Sequence, residues 1–363
     1  MSSSEYIFLH NFLLNYARGR GLGMGWRGWL TVLVALAYLV HPYLIAPSGV
    51  LVGSGATFPQ AQLEAWMSSF NNAGFPFKVE YVGKGSGGGQ SDLSAGVVDF
   101  ICTDPPLSSE LWARLKERGD LVEFPFILGA VVVTYNLPGV DRLRLNGSVL
   151  AGMYMGYIRY WDDERILALN PGLRGVLPHR EILLVHRSDS SGTTFLFTSF
   201  LSLSSEEWRR SVGRGKLVRW PVDELGRGLG GQGNLGVSQL VMENQFSLGY
   251  VEWSFALQLN MPIAELSGKS GDFTVPTVEG LVEVADSALR ILDRGPEDDW
   301  DGDVDVLLET AFSSGYPLVG WSHLVFYRGD GRILQWLSWI REEGTTVPGY
   351  APIPDWFWEE VLE

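Results

Sequence analysis

Four times between Val50 and Thr194 a short apolar run breaks into a turn rich in glycine, hydroxyl or carboxylate. Val50-Leu51-Val52 runs into Gly53-Ser54-Gly55-Ala56-Thr57-Phe58-Pro59. Phe77 to Val82 runs into Gly83-Lys84-Gly85-Ser86-Gly87-Gly88-Gly89. Val98-Asp99-Phe100-Ile101 runs into Cys102-Thr103-Asp104-Pro105-Pro106, and Ile182 to Val185 into His186-Arg187-Ser188-Asp189-Ser190-Ser191-Gly192-Thr193-Thr194. Apolar runs of this length, bounded by turn residues, read as buried strands. Helical patterns follow them. Leu63, Trp66, Met67 and Phe70 repeat at helical spacing, a helical stretch lies near Gln90 to Ala95, and another begins at Phe195. Strands alternating with helices argue an α/β architecture. One glycine-rich turn is usually only a turn. Four in succession at predicted strand ends is the arrangement in which open α/β sheets bind ligands.

The fourth turn is the richest chemically. Ser191-Gly192-Thr193 sits where a strand meets a helix, so free backbone N–H groups, hydroxyls and the helix dipole all favour negative charge there. Arg187 adds a planar guanidinium that grips two oxygens of an oxyanion. The combination suits a small tetrahedral anion.

With these turns the chain resembles the periplasmic phosphate-binding proteins, the substrate-binding components of phosphate ABC transporters. The resemblance rests on Gly-Ala-Thr-Phe-Pro at 55–59, the Gly-Ser-Gly-Gly loop at 85–88, Val-Asp-Phe-x-x-x-Asp-x-Pro-Leu at 98–107, and Trp161-Asp162-Asp163. Leu169-Asn170-Pro171-Gly172-Leu173, the Arg-x-Asp-x-Ser-Gly-Thr run at 187–193, Gly228 to Asn234 and Gly249-Tyr250-Val251-Glu252 complete it. It holds from Val50 to about Asn260 and is loose from Tyr316 to Glu363. It implies a two-lobed periplasmic-binding-protein fold of type II, with a hinge between the lobes. Residues 48–126 and 314–363 would form one lobe, and 127–313 the other. The resemblance also implies a phosphate site of Thr57, Phe58, Ser86 and Asp104 from the first lobe, with Arg187, Asp189, Ser191, Gly192 and Thr193 from the second. Cys102 stands where a small residue is usual, His186 where a second basic residue is common, and Ser190 where a glycine is common.

Phosphate near neutral pH always carries a proton, and only an acceptor can recognise it. Asp104 is the residue suited to that task. A carboxylate is otherwise ill placed in a buried anion site, and facing unprotonated sulfate it would be unpaired and repelled. Asp189 is expected to hold Arg187 by a charge-assisted hydrogen bond. Without the other motifs, Asp104 would read simply as a turn former before Pro105.

A chain of 363 residues exceeds one typical core, which favours two domains. The formal net charge of −15 argues against nucleic acid as a partner. It does not oppose a local anion pocket, because fixed dipoles and hydroxyls act at short range. The acidic run Glu297 to Asp305 reads as solvated loop and lacks a full calcium-loop pattern. The single cysteine excludes an internal disulfide. The histidines show no metal-ligand spacing, and no cofactor is expected. Arg18, Arg20 and Arg27 precede an apolar run from Trp29 to Ala46, which makes residues 1–47 a signal peptide or an N-terminal membrane anchor. The rest would lie outside the cytoplasm, with the N-terminal segment meeting the membrane. The expected partners are inorganic phosphate and ABC permease subunits, and the chain is expected to be a monomer. Two other functions fit parts of the pattern. One is a binding protein for another tetrahedral oxyanion. The other is a phosphatase using Ser191 or Thr193 as nucleophile, although no reliable base is evident.

Overall fold

A computed structural model describes residues 49–362. The signal or anchor reading of residues 1–47 lies outside the described residues, among which no helix is long and apolar enough to cross a membrane.

Twelve strands occur among the described residues: β1 (Gly49–Gly55), β2 (Phe77–Gly83), β3 (Phe100–Thr103), β4 (Leu121–Tyr135), β5 (Arg144–Asn146), β6 (Leu183–Arg187), β7 (Gly228–Gly231), β8 (Ser247–Glu252), β9 (Glu265–Ser267), β10 (Phe273–Thr274), β11 (Val319–Tyr327) and β12 (Tyr350–Pro352). Nine form one sheet in the order β2-β1-β3-β11-β4-β8-β6-β7, with β12 also paired to β4. Strands β5, β9 and β10 form a small separate sheet. The fold is the α/β periplasmic-binding type.

Strand β4 joins the two sides of the large sheet. All fifteen of its residues are buried, as expected for a strand covered on both faces. Leu121 to Ala130 pair antiparallel with β11, while Val131 to Tyr135 pair antiparallel with β8. The β4–β11 register shifts between Ser322 and His323, which face Ile127 and Pro125 and leave Phe126 as the extra residue. Proline has no N–H for the ladder, so a bulge is where a central strand can carry one.

On one side of β4, β1 lies parallel to both β2 and β3. On the other, β6 lies parallel to both β7 and β8. Strands β1, β2 and β6 each lead through a turn into a helix: Gln60–Asn72, Ser86–Ala95 and Gly192–Ser204. The second helix begins earlier than the glycine-rich sequence suggests, at Ser86 rather than near Gln90. Close packing is the reason the glycines lie inside its first turn. A Cβ on Gly87 would fall 2.2 Å from Ser190 Oγ, and one on Gly89 2.6 Å from the Gly55 Cα.

Trp336 and Trp358 are buried and face Phe126 at ring-centroid distances of 6.2 and 6.1 Å. The C-terminal aromatics are thus core. The acidic run departs from a simple solvated loop. Trp300 and Asp303 are fully buried, and Asp303 Oδ2 accepts from Trp321 Nε1 at 2.6 Å and lies 2.7 Å from His323 Nε2.

Candidate anion-binding site

The turns after β2 and β3 meet the turn after β6, and the turn after β1 meets the one after β7. Ser86 is the first residue of its helix and wholly buried, and its Oγ accepts from the Asp104 N–H at 3.2 Å. Across from them lies Gly192, the first residue of the helix Gly192–Ser204. A Cβ built on Gly192 would stand 2.3 Å from Asp104 Oδ2 and 2.5 Å from Ser86 Oγ. Only glycine lets these two side chains come so close to a helix N-terminus.

Ser191 caps that helix, its Oγ accepting from Thr194 N at 3.1 Å. The first amides of a helix have no carbonyl of their own, so those of Gly192 and Thr193 remain to serve a ligand. Arg187, at the end of β6, is 2% exposed. Its Nε donates to Asp189 Oδ1 at 2.8 Å and its Nη2 to Asp189 Oδ2 at 2.5 Å, while Nη1 reaches Thr193 Oγ1 at 3.2 Å. Burial alone would raise the pKa of Asp189, but the Arg187 fork outweighs it and holds the carboxyl below its ordinary range. The guanidinium is therefore fixed in plane beside the helix N-terminus.

Thr57 belongs to the same ring of residues. Its Oγ1 accepts from Asn234 Nδ2 at 3.2 Å, and Gly233 N, next in the chain, donates to Asp189 Oδ1 at 3.0 Å. The Phe58 ring is buried against Gly129 and Gly320, and its carbonyl accepts from Tyr350 OH at 2.7 Å.

Asp104 is electrostatically exceptional. It is 1% exposed and neither carboxylate oxygen has a hydrogen-bond partner. Burial pushes its pKa up to about 7, against the opposing pull of Ser322, Arg187 and Ser86. A buried carboxylate left unbonded is costly, and this one faces the donors of a helix N-terminus. Glu252 is a second buried acid in the region. Burial pushes it up to about 8, and Ser254 N and Tyr350 OH donate to its carboxylate at 3.0 and 2.9 Å.

Several residues here carry no signal of their own in the sequence. Tyr250 OH accepts from Arg187 N at 3.2 Å and lies 2.7 Å from Thr194 Oγ1, fixing both ends of the turn. Asn234 also bridges Thr57 to the Glu252 N–H. Both lie in motifs quoted above, but no local pattern says what they touch. His186 turns away from Ser191. Its Nε2 is 2.8 Å from Asp223 Oδ1, its Nδ1 is 3.0 Å from the Arg187 carbonyl, and its ring stacks on Trp220. Cys102 is buried in β3. Among the described residues no group of three or more His, Cys, Asp or Glu is arranged to hold a metal ion.

A model of the PBP superfamily domain matches residues 45–343. The phosphate-binding protein PstS of Methanocaldococcus jannaschii is 39% identical over 327 residues, covering 85% of this chain and 84% of the relative. The phosphate-binding protein PstS of Pasteurella multocida is 34% identical over 334 residues, covering 88% and 90%. Among solved structures, a human phosphate binding apolipoprotein superposes with a TM-score of 0.65 at 21% identity, over 86% of this chain and 93% of that one. At that identity the likeness concerns the fold alone.

Proposed function

Because the chain belongs to the PstS phosphate-binding proteins of the PBP superfamily, we propose that it captures inorganic phosphate outside the cytoplasm and delivers it to the permease subunits of an ABC importer. The observation that carries this reading is Asp104, a buried and unbonded carboxylate set against Ser86 and the N-terminus at Gly192. Phosphate supplies what such a carboxylate lacks, a proton to accept. The helix amides, the Ser86, Ser191 and Thr193 hydroxyls, the Arg187 guanidinium, Thr57 and the Phe58 N–H then serve the remaining phosphate oxygens. Asp189 holds Arg187 rather than the anion. Residues 48–126 with 314–363 act as one lobe and 127–313 as the other, with phosphate drawing them together.

Sulfate, molybdate and tungstate are disfavoured in this reading above about pH 7, where Asp104 is ionised and none of them presents a proton to it. Hydrolysis is disfavoured because the nearest histidine in sequence, His186, is engaged by Asp223 and the Arg187 carbonyl. Calorimetric titration of the protein at pH 8 with phosphate, sulfate and molybdate tests the assignment. Phosphate should bind far more tightly than the other two, and equal binding of sulfate would overturn it. A phosphomonoester should be hydrolysed no faster than background. Turnover that disappears in Ser191→Ala would establish a phosphatase instead.

A further inference from the structure

Beside the anion site a second connection crosses between the same two groups of turns, and its two crossing side chains are not among the proposed phosphate contacts. The Lys216 carbonyl accepts from Ser191 N at 2.8 Å, and the neighbouring Gly215 N donates to Thr198 Oγ1 at 3.1 Å. The segment holding Lys216 is thereby fastened to the helix Gly192–Ser204. The Lys216 Nζ, however, donates to Gln90 Oε1 on the helix Ser86–Ala95. Gln90 is itself held on the far side: its Nε2 donates to Thr103 Oγ1 at 3.0 Å, beside Asp104, and lies 3.5 Å from the Pro106 carbonyl. Those bonds aim its carbonyl oxygen at the lysine. A chain of hydrogen bonds therefore runs Thr103–Gln90–Lys216–Ser191, ending next to Asp104 on one side and at the helix cap on the other.

We propose that Lys216 and Gln90 form a latch across the cleft that sets how long phosphate stays bound. The proposal rests on the hinge closure described above. The partner of the ammonium is an amide and not a carboxylate, so the contact is strong enough to favour the closed form and weak enough to release it. Lys216 is also partly buried against a cavity of about 270 Å³ lined by Pro105, Pro106, Phe195 and Arg214, so opening would rehydrate its charge. The bond must break before phosphate can leave, and in the phosphate-free protein it biases the open–closed equilibrium toward the closed form. Lys216 and Gln90 are positioning residues: they act on the lobes, not on the anion.

Stopped-flow tryptophan fluorescence and solution scattering on Lys216→Met, Gln90→Met and the double variant test this. Each single variant should raise the phosphate dissociation rate by roughly ten- to a hundredfold, the range for losing a hydrogen bond to a charged group. The association rate should change little, and the double variant should release phosphate no faster than the faster single one. The phosphate-free variants should also have a larger radius of gyration than the phosphate-free wild type. Wild-type release rates in both single variants would overturn the latch. So would an effect confined to Lys216→Met, which would mean that the lysine acts by its charge alone. If the wild type itself does not bind phosphate, the functional proposal fails. The phosphate-free scattering comparison still decides whether the two side chains hold the halves together.

Discussion

Asp104 illustrates how a single residue can oppose stability and serve recognition. In the unfolded chain it titrates like any aspartate, whereas in the fold burial raises it to about 7. Between about pH 4 and pH 7 the native state therefore holds a proton that the unfolded state has lost, so stability falls as pH rises through that window. Asp104→Asn removes the titration. In the absence of phosphate, it should raise the melting temperature relative to wild type at pH 8, and the gain should shrink toward pH 4. The expected size at pH 8 is a few kcal/mol. The same substitution should narrow the preference for phosphate over sulfate, since an amide no longer discriminates by the proton. Scanning calorimetry across pH, paired with the two titrations, checks both; a variant no more stable at pH 8 would mean that Asp104 is not strained by its burial. Arg187 is the complementary case. Arg187→Lys keeps the charge but cannot hold Asp189 with two parallel bonds and reach Thr193 as well. Phosphate affinity should drop by roughly 1–3 kcal/mol, and an unchanged dissociation constant would place the guanidinium outside the site.

At the scale of elements, the helix Gly192–Ser204 contributes its amino end, and glycine at its first position is what lets the opposite wall approach. Alanine is a good helix former, so Gly192→Ala costs the helix nothing. Its methyl group would nevertheless overlap Asp104 Oδ2 and Ser86 Oγ, at 2.3 and 2.5 Å. Overpacking of this kind costs roughly 1–3 kcal/mol. Phosphate affinity should therefore fall about ten- to a hundredfold, while the melting temperature without ligand changes by no more than a few degrees. Full affinity in Gly192→Ala would show that Ser86 and Asp104 do not meet this helix when phosphate is bound. The helix Ser86–Ala95 shows the limit of local pattern. Its glycines read as a loop, yet they coil from Ser86 onward because Ser190 and Gly55 press against them.

For the molecule as a whole, the pieces of the site come from both sides of β4, and besides the latch two further hydrogen bonds join the turns that carry them. Gly87 N donates to the Ser190 carbonyl at 3.3 Å, and Asn234 Nδ2 to Thr57 Oγ1 at 3.2 Å. Hydrogen bonds this long are modest individually, so an anion bonded to both sides should dominate the closed state. Phosphate is expected to reduce the radius of gyration in solution scattering and to change the tryptophan fluorescence. Ser191→Ala combined with Thr193→Ala should weaken binding and compaction together. Tight binding with unchanged scattering would mean that the site is already closed before the ligand arrives.

Much of this was legible in the chain itself because backbone preference is local. The four apolar runs became β1, β2, β3 and β6 within a few residues, and Gly55 and Gly85 stand at φ values of 128° and 86°, which other residues rarely adopt. The donor-rich character of the turns was equally plain, since it depends only on residue type. What lay beyond sequence was every relation between distant residues. Thr57 and Asn234 are 177 positions apart, and Gln90 and Lys216 are 126 apart. Nothing in the neighbourhood of either member announces the other. The burial of Asp303 within an acidic run is of the same kind, because its environment comes from Trp321 and His323 on β11. Local pattern could say that Asp104 carries a carboxylate at a strand end. That this carboxylate is buried and opposite a helix N-terminus is a consequence of how the strands pair and the helices pack around it.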